Sequence, residues 1–581
     1  MSAAGGSGPL PRTLLGLAAV AVAFAAADTY VVVLALPDMM TAANLDLDEL
    51  QRAAPIVSGF LLGYVAILPL IGRIADLRGR VPVLIGSLVI FALGSVLTAA
   101  AYDLSSVVAG RLLQGVGGGG LVPATMALVA DLWPPERRGV PLGVVGAVQE
   151  LGSVLGPLYG ALVLAASDWR AIFWLNTAVA LVLVAAFLAT RQESRPRPDT
   201  TGVDVIGAVL ALSVIAVVVL VMRQPESLVS DVTYGRAFLP VVGGSRWLSP
   251  LAVAAAGLLI LFVARQLTAT RPLLAWRSWG STLAAVDLPG AVLLGLSLGG
   301  LIVAFASADP AVQVLSPTGP YLLVASAGCA AVFTWRQARA SRPLIPHGAL
   351  NATSAWGALV VSLFVGAALI AALVDVPFYA RLTVYPDSQL DAALVLLRFL
   401  AALPVGAVLG GFATRVISAG PLAAAGMAMA ATGFVWMATW DADALRHASA
   451  TVPLVAAGLG FGVAIAPVNA ALLASTRAAV HGVTSALVVV ARMVGMLVGI
   501  SVLTTIGLRR FYAAASDIPP VRQLCPQDQL NCTVYGERLL DAGLVQLHTV
   551  FVGAAVCAAA AAVCALITLR PPADHRRVIA P

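Results

Sequence analysis

Lysine is absent from this chain of 581 residues, so all 34 of its basic side chains are arginines. Charge is scarce as well: 11% of residues are charged, against 60% hydrophobic, and the mean hydropathy is +0.95. Such a composition excludes a water-soluble globular enzyme, because apolar runs long enough to cross a bilayer recur throughout. The formal net charge of +6 therefore reports membrane orientation rather than nucleic-acid binding. Cysteine is nearly silent. Of five, Cys329, Cys557 and Cys564 lie in apolar runs, while Cys525 and Cys532 share a polar loop where a disulfide or two free thiols would both be compatible with the spacing. No metal-ligand spacing, Walker loop or nucleophile elbow occurs in a supporting context. The lack of a nucleotide site argues against a primary pump and leaves an ion gradient as the energy source, with no cofactor.

What is present is a long series of apolar runs. Six, at about 12–36, 53–71, 82–101, 105–130, 140–165 and 171–190, approach the ~20 residues of a spanning helix. The first is too long for a signal-peptide core and contains Asp28, so it is read as helix one. Another six lie at about 352–380, 388–413, 419–439, 453–475, 482–508 and 545–569. Between them, Val203-Asp204-Val205-Ile206-Gly207-Ala208-Val209-Leu210 is echoed by Val286-Asp287-Leu288-Pro289-Gly290-Ala291-Val292-Leu293. Each copy opens a pair of apolar runs, and the pairs end in Arg271-Pro272-Leu273-Leu274 and Arg342-Pro343-Leu344-Ile345. This is a duplicated helical hairpin. The expectation is an all-α polytopic protein of about 16 spanning helices: an N-terminal six-helix half (1–198), two linker hairpins (199–275 and 276–348), and a C-terminal half (349–581) with an external loop at about 509–544.

Arginines at positions 12, 73, 78, 80, 137, 138, 191, 195, 197, 271, 277, 339, 342, 415, 477, 570 and 576 fall on one side of this topology, and the acids Asp38, Asp46, Asp48 and Glu49 on the other. The arginine-rich side is read as cytoplasmic, with both termini there. Residues 355–381 and the run from 390 could continue as helices of roughly 40 Å, past the ~30 Å hydrocarbon thickness, by protrusion or by tilt.

Gly72-Arg73-Ile74-Ala75-Asp76-Leu77-Arg78-Gly79-Arg80, between the second and third apolar runs, resembles the signature loop of the major facilitator superfamily. Two six-helix halves are that superfamily's architecture. Gly72, Asp76, Arg73 and Arg80 then read as a conformational latch rather than a substrate site.

Charges inside a bilayer cost roughly 2.5 to 3.5 kcal/mol each at a helix centre, so the few present are candidates for function. Asp28 in helix one, Glu150 in helix five and Arg492 in the fifth helix of the second half stand out. Burial favours a neutral carboxyl and a nearby guanidinium favours a charged one, so movement of Arg492 toward or away from Asp28 or Glu150 would switch their protonation. A static buried ion pair that holds helices together is the competing explanation. Arg111, within Gly110-Arg111-Leu112-Leu113-Gln114-Gly115, resembles the helix-four arginine of proton-coupled antiporters; proton relay and pairing with acids or helix-end carbonyls are both open. Gly152, Gly156, Pro157 and Gly160 would let helix five approach a neighbour closely. Asp375 and Arg398 read as pore-mouth groups that pair or snorkel.

Four strings narrow the resemblance: Asp28-Thr29-Tyr30-Val31-Val32-Val33, the run from Ala147 to Gly160, Leu373-Val374-Asp375-Val376, and Val488-Val489-Val490-Ala491-Arg492-Met493. They resemble the actinobacterial triacylglyceride exporters of the superfamily. The resemblance implies export of triacylglycerides or related lipids from the bacterial inner membrane to a periplasmic lipoprotein carrier, with Asp28, Glu150 and Arg492 matching that family's charged residues; a monomer is the expected state. A second linker hairpin and Arg398 in place of an aromatic residue depart from it. Proton-driven efflux of amphipathic drugs is the nearest rival. A non-transporting envelope scaffold and a membrane enzyme stand further off, the latter for want of a polar catalytic cluster at one membrane face.

Overall fold

In the computed structural model the structure describes residues 9–43, 50–193, 204–269, 272–273, 276–306, 318–386, 388–525 and 532–569. Asp46, Asp48, Glu49, Arg195, Arg197, Arg271, Arg570 and Arg576 lie outside them. The apolar runs fold as helices because a backbone in lipid must satisfy its own polar groups. The first half comprises α1 (Pro9–Ala42), α2 (Leu50–Arg78), α3 (Arg80–Ala100), α4 (Leu104–Gly119), α5 (Leu121–Leu132), α6 (Gly139–Ala166) and α7 (Trp169–Glu193). The middle holds α8 (Val205–Arg223), the short α9 (Glu226–Val229), α10 (Pro250–Thr268), α11 (Trp276–Ala285), α12 (Leu288–Ala306) and α13 (Gly319–Arg339). The second half is α14 (Thr353–Leu382), α15 (Gln389–Ala413), α16 (Ala419–Met437), α17 (Thr451–Ser475), α18 (His481–Ser516), the short α19 (Val521–Leu524) and α20 (Thr533–Thr568).

Thirteen of these segments are long and apolar enough to cross a membrane, or fourteen if the bent pair α11–α12 is one span. All sixteen expected runs form helix, but α6 and α13 fall outside that set. The last turn of α13 is given to Arg336 and Arg339. The fourth run is one span in two pieces, α4 and α5, divided at Gly120. Its glycines explain the tight packing there: a Cβ on Gly115 would lie 2.1 Å from the carbonyl oxygen of Phe60, and one on Gly119 2.5 Å from that of Tyr64.

Two expectations about length change. Helix α14 does run 30 residues, about 45 Å, but the longest helices are α18 and α20 at 36 residues, about 54 Å each. They pack against one another and take up most of the expected loop at 509–544, leaving a short connection in which Cys525 and Cys532 are disulfide-bonded.

The duplication is visible in matching ion pairs. Asp204 caps α8 through the Gly207 amide (3.0 Å) and accepts from Arg265 of α10 (2.9 Å); Asp287 caps α12 through Gly290 (3.1 Å) and accepts from Arg336 of α13 (2.7 Å). The copies are placed differently. Helix α12 lies along α2, beside the junction of the halves, whereas the α8–α10 pair has only slight contact with α3.

The halves meet where α6 packs on α15 and where α2 and α5 pack on α18. The first half has two apolar clusters, one around Ala21, Phe60, Leu88 and Val129, the other around Val31, Met39, Ile56 and Phe173. Asp28 sits in α1 between the residues that belong to each.

Candidate functional site

Asp28 is 1% exposed, and its carboxylate is surrounded by three donors from two helices. Arg111 Nη1 of α4 donates to Oδ2 at 2.6 Å, while Gln114 Nε2 of α4 and Asn176 Nδ2 of α7 donate to Oδ1 at 3.0 and 2.5 Å. Gln114 also donates to Ser95 Oγ of α3 (3.0 Å) and accepts from Arg111 (2.7 Å). The guanidinium of Arg111 lies 4.5 Å from the centre of the Phe60 ring and 5.9 Å from that of Phe173, a cation–π setting. Its Nε reaches the carbonyl of Ile56 at 3.4 Å. Of the two alternatives for Arg111, the observed one is pairing with an acid and a backbone carbonyl. The partner of Asp28 is therefore Arg111, where the expectation has Arg492 moving toward or away from Asp28 or Glu150.

Glu150 is a different case. It is 9% exposed and within the electrostatic reach of Arg492, yet no direct ion pair joins the two among the described residues. Arg492 and Gln149 line a narrow cavity of about 30 Å3 between the halves, with Met126 of α5, Asn469 of α17 and Val489 of α18. That volume admits one or two waters and no acyl chain.

At one end of this cavity the halves are clamped. Asp76 Oδ1 accepts from the Gly482 amide (2.7 Å) and Oδ2 from the Val483 amide (3.0 Å), so a carboxylate of α2 caps the first turn of α18 across the junction. Arg80 holds that carboxylate at 2.9 Å and also reaches Asp131 at 3.2 Å and the carbonyl of Ala478 at 3.0 Å. Arg73 donates to the carbonyl of Ala479 at 3.5 Å rather than pairing directly with Asp76. Arg138 adds a bond to the carbonyl of Leu473 at 3.4 Å. Gly72 is required here, since a Cβ on it would lie 2.5 Å from the carbonyl oxygen of Gly482. Gly79 is required for a second reason, its φ of 91° letting the chain turn between α2 and α3.

The helix-five glycines face α1. A Cβ on Gly152 or Gly156 would lie 2.2 or 2.5 Å from the carbonyl oxygen of Ala23 or Ala27, and one on Gly160 2.6 Å from the Val31 side chain. Pro157 lies on the same stretch of α6. Asp375 of α14 is buried, whereas Arg398 of α15 donates to Thr451 Oγ1 at 3.0 Å. Of the two expectations, mutual pairing or snorkelling, no Asp375–Arg398 pair occurs among the described residues.

Comparison with known proteins bears on this geometry directly. The family model of the Major Facilitator Superfamily matches residues 18–335. A triacylglyceride transporter of Mycolicibacterium hassiacum is 36% identical over 516 residues, covering 86% of this chain and 81% of its own. The triacylglyceride transporters of Mycobacteroides abscessus and Mycobacterium tuberculosis are each 34% identical, again over 86% of this chain and over 82% and 83% of theirs.

The chain belongs to the major facilitator superfamily.

A solved superfamily structure, a proton:xylose symporter bound to a halogenated glucose, matches 92% of this chain and 94% of its own with a TM-score of 0.50 at 14% identity, a likeness of fold. As a superfamily member this protein is a membrane transporter and not an enzyme. Sequence reading overlooked the amide partners of Asp28. Gln114, Asn176 and Ser95 are polar side chains inside apolar helices, and that is the signal that could have found them. Tyr64, within the fields of both Glu150 and Arg492, was overlooked as well.

Proposed function

We propose that this protein is a proton-coupled exporter of triacylglycerides or related neutral lipids, moving them from the inner membrane toward the periplasm. The arginine-rich end with the Asp76 clamp faces the cytoplasm on this reading, as the positive-inside bias favours, and both termini lie on that side. The observation that carries the proposal is a pair of buried acid–arginine groupings, Asp28 ion-paired with Arg111 and Glu150 in the field of Arg492, beside a junction clamped at one end by Asp76, Arg80 and Gly482. A proton on Asp28 removes acceptor capacity from a carboxylate that serves three donors, and it leaves Arg111 without a counter-charge. A proton on Glu150 removes the negative charge whose field acts on Arg492 at the cavity wall. Each loading step loosens the first half or the junction and so favours a change of which end is open. The cargo reading draws support from the relatives' names and from the apolar lining of the junction. Delivery to a periplasmic lipoprotein by a monomer belongs to the same reading.

The test is triacylglyceride transfer out of proteoliposomes under an imposed proton gradient, comparing the native chain with Asp28→Asn, Glu150→Gln and Arg492→Ala. Gradient-driven transfer by the native chain, lost in folded variants, is the expected result. Drug efflux without lipid transfer would replace the cargo, and undiminished transfer by both acid variants would remove the proton coupling.

A further inference from the structure

A second cleft, of about 410 Å3, opens on the arginine-rich end outside the clamp. Its walls are Arg73 and Leu77 of α2, Ala285 of α11, and Arg342, Pro343 and His347 of the segment that follows α13. No carboxylate lines it among the described residues. The arginines around it are otherwise engaged: Arg80 by Asp76 and Asp131, Arg336 by Asp287, and Arg78 by Thr282 (2.7 Å) and the face of Trp279 (4.8 Å). Those of the cleft form no ion pair among the described residues, Arg73 donating to the Ala479 carbonyl instead. Arg342 and His347 are exposed and form no ion pair among the described residues, and Arg73 has a buried Nε without a hydrogen-bond partner.

The surroundings say what kind of anion fits. Helix α11 turns 70° from α12, as a helix lying along the bilayer surface would. It carries Trp279 there, and Leu283 and Leu288 beside it are 41% and 43% exposed. Two guanidiniums and an imidazole at headgroup level, next to exposed leucines, suit a molecule that is anionic at one end and apolar at the other.

We propose that this cleft is a binding site for an anionic phospholipid of the leaflet on the arginine-rich side. Arg73 and Arg342 take the phosphate, His347 donates to it, and the acyl chains run beside Leu283 and Leu288. Because Arg73 also bonds Ala479 across the junction, the lipid ties α2 and the second hairpin to the clamped state. The bound lipid is thus a regulator distinct from any cargo, and the inference does not rest on the cargo proposed above.

The experiment is native mass spectrometry of the full chain in detergent, titrated separately with phosphatidylglycerol, phosphatidylcholine and inorganic phosphate. Arg342→Gln combined with His347→Gln is the test variant, and Arg415→Gln, an exposed arginine elsewhere, is the control. The native chain is expected to retain phosphatidylglycerol in preference to phosphatidylcholine. The double variant is expected to bind it about fivefold more weakly, the worth of one arginine near an anionic headgroup, with the control unchanged. Equal retention of the two lipids, an unaffected double variant, or equal weakening in the control would overturn the proposal. So would inorganic phosphate competing at the same concentration as the lipid, which would make this a site for a soluble anion. Thermal unfolding of each variant identifies any loss that comes from misfolding.

Discussion

A methyl group placed on Gly482 should open the clamp without unfolding the protein. Its Cβ would lie 2.3 Å from the carbonyl oxygen of Gly72 and 2.9 Å from Asp76 Oδ1, and the nearest of these is backbone. Carbon–oxygen contacts settle no closer than about 3.3 Å, so α2 and α18 must separate by about 1 Å. That shift takes the Asp76 bonds to the amides of Gly482 and Val483, now 2.7 and 3.0 Å, past the range in which a hydrogen bond counts. Each is charge-assisted and worth about 1.5 to 3 kcal/mol, so the closed junction loses roughly 3 kcal/mol relative to the open one, more than a hundredfold in population. Helix propensity moves the other way, by about 1 kcal/mol, but in both states alike, so thermal stability should hold while the conformation changes. Spin labels on cysteines at Leu77 and Arg477, in a background without the free thiols of Cys329, Cys557 and Cys564, would report the separation by electron–electron distance measurement in nanodiscs. Gly86→Ala is the control, since a Cβ there meets nothing within 4 Å. The expected result is a longer-distance population in Gly482→Ala alone. If the distributions for the native chain, Gly482→Ala and Gly86→Ala superimpose, the clamp reasoning is wrong.

Much of the fold was legible because lipid imposes a length and a polarity on every crossing segment, and the runs around Asp28 and Arg492 met both. The hairpin duplication was legible from Asp204 and Asp287, and Arg265 and Arg336 turn out to repeat along with them. The pairing of Asp28 was not. Residues 28 and 111 meet through the rotation of α1 against α4, and apolar runs as uniform as these define no preferred face from which to read that rotation. Arg492 was the more conspicuous charge, lone and deep, while Arg111 read equally as a proton relay or as pairing with an acid or helix-end carbonyls, with no acid singled out. The clamp was legible in its first half only. Nothing about Gly482 and Val483 marks them as donors until α18 is known to begin at His481 and to present its free amides to α2.

Three further outcomes follow from the same packing. Gly152→Val should lower the unfolding midpoint in detergent, by about 1 to 3 kcal/mol of overpacking, because its Cβ would lie 2.2 Å from the carbonyl of Ala23; an unchanged midpoint would mean that α1 and α6 are not held as described. The Asp204 carboxyl is held below its usual range, chiefly by the Gly207 amide and then by Arg265. A group lowered on folding stabilises above its unfolded-state value and loses that contribution as pH falls through its folded-state one. The midpoint difference between native and Asp204→Asn should therefore be full at neutral pH and close on acidification; a difference that persists in acid would refute the assignment. Finally, the two membrane acids should differ in stability although both serve coupling in the proposed cycle. Asparagine at position 28 offers one acceptor and one donor where a carboxylate accepts from Arg111, Gln114 and Asn176, so at least one buried N–H faces another and Arg111 loses its counter-charge. The first effect costs about 1 to 3 kcal/mol, and the uncompensated charge about 3 to 5 in a fully buried pair. Glu150 has no direct ion pair among the described residues, so Glu150→Gln removes a charge without orphaning a donor. Asp28→Asn should thus melt well below Glu150→Gln in the same detergent, and equal midpoints would show that the Asp28 network contributes nothing to holding α1, α4 and α7 together.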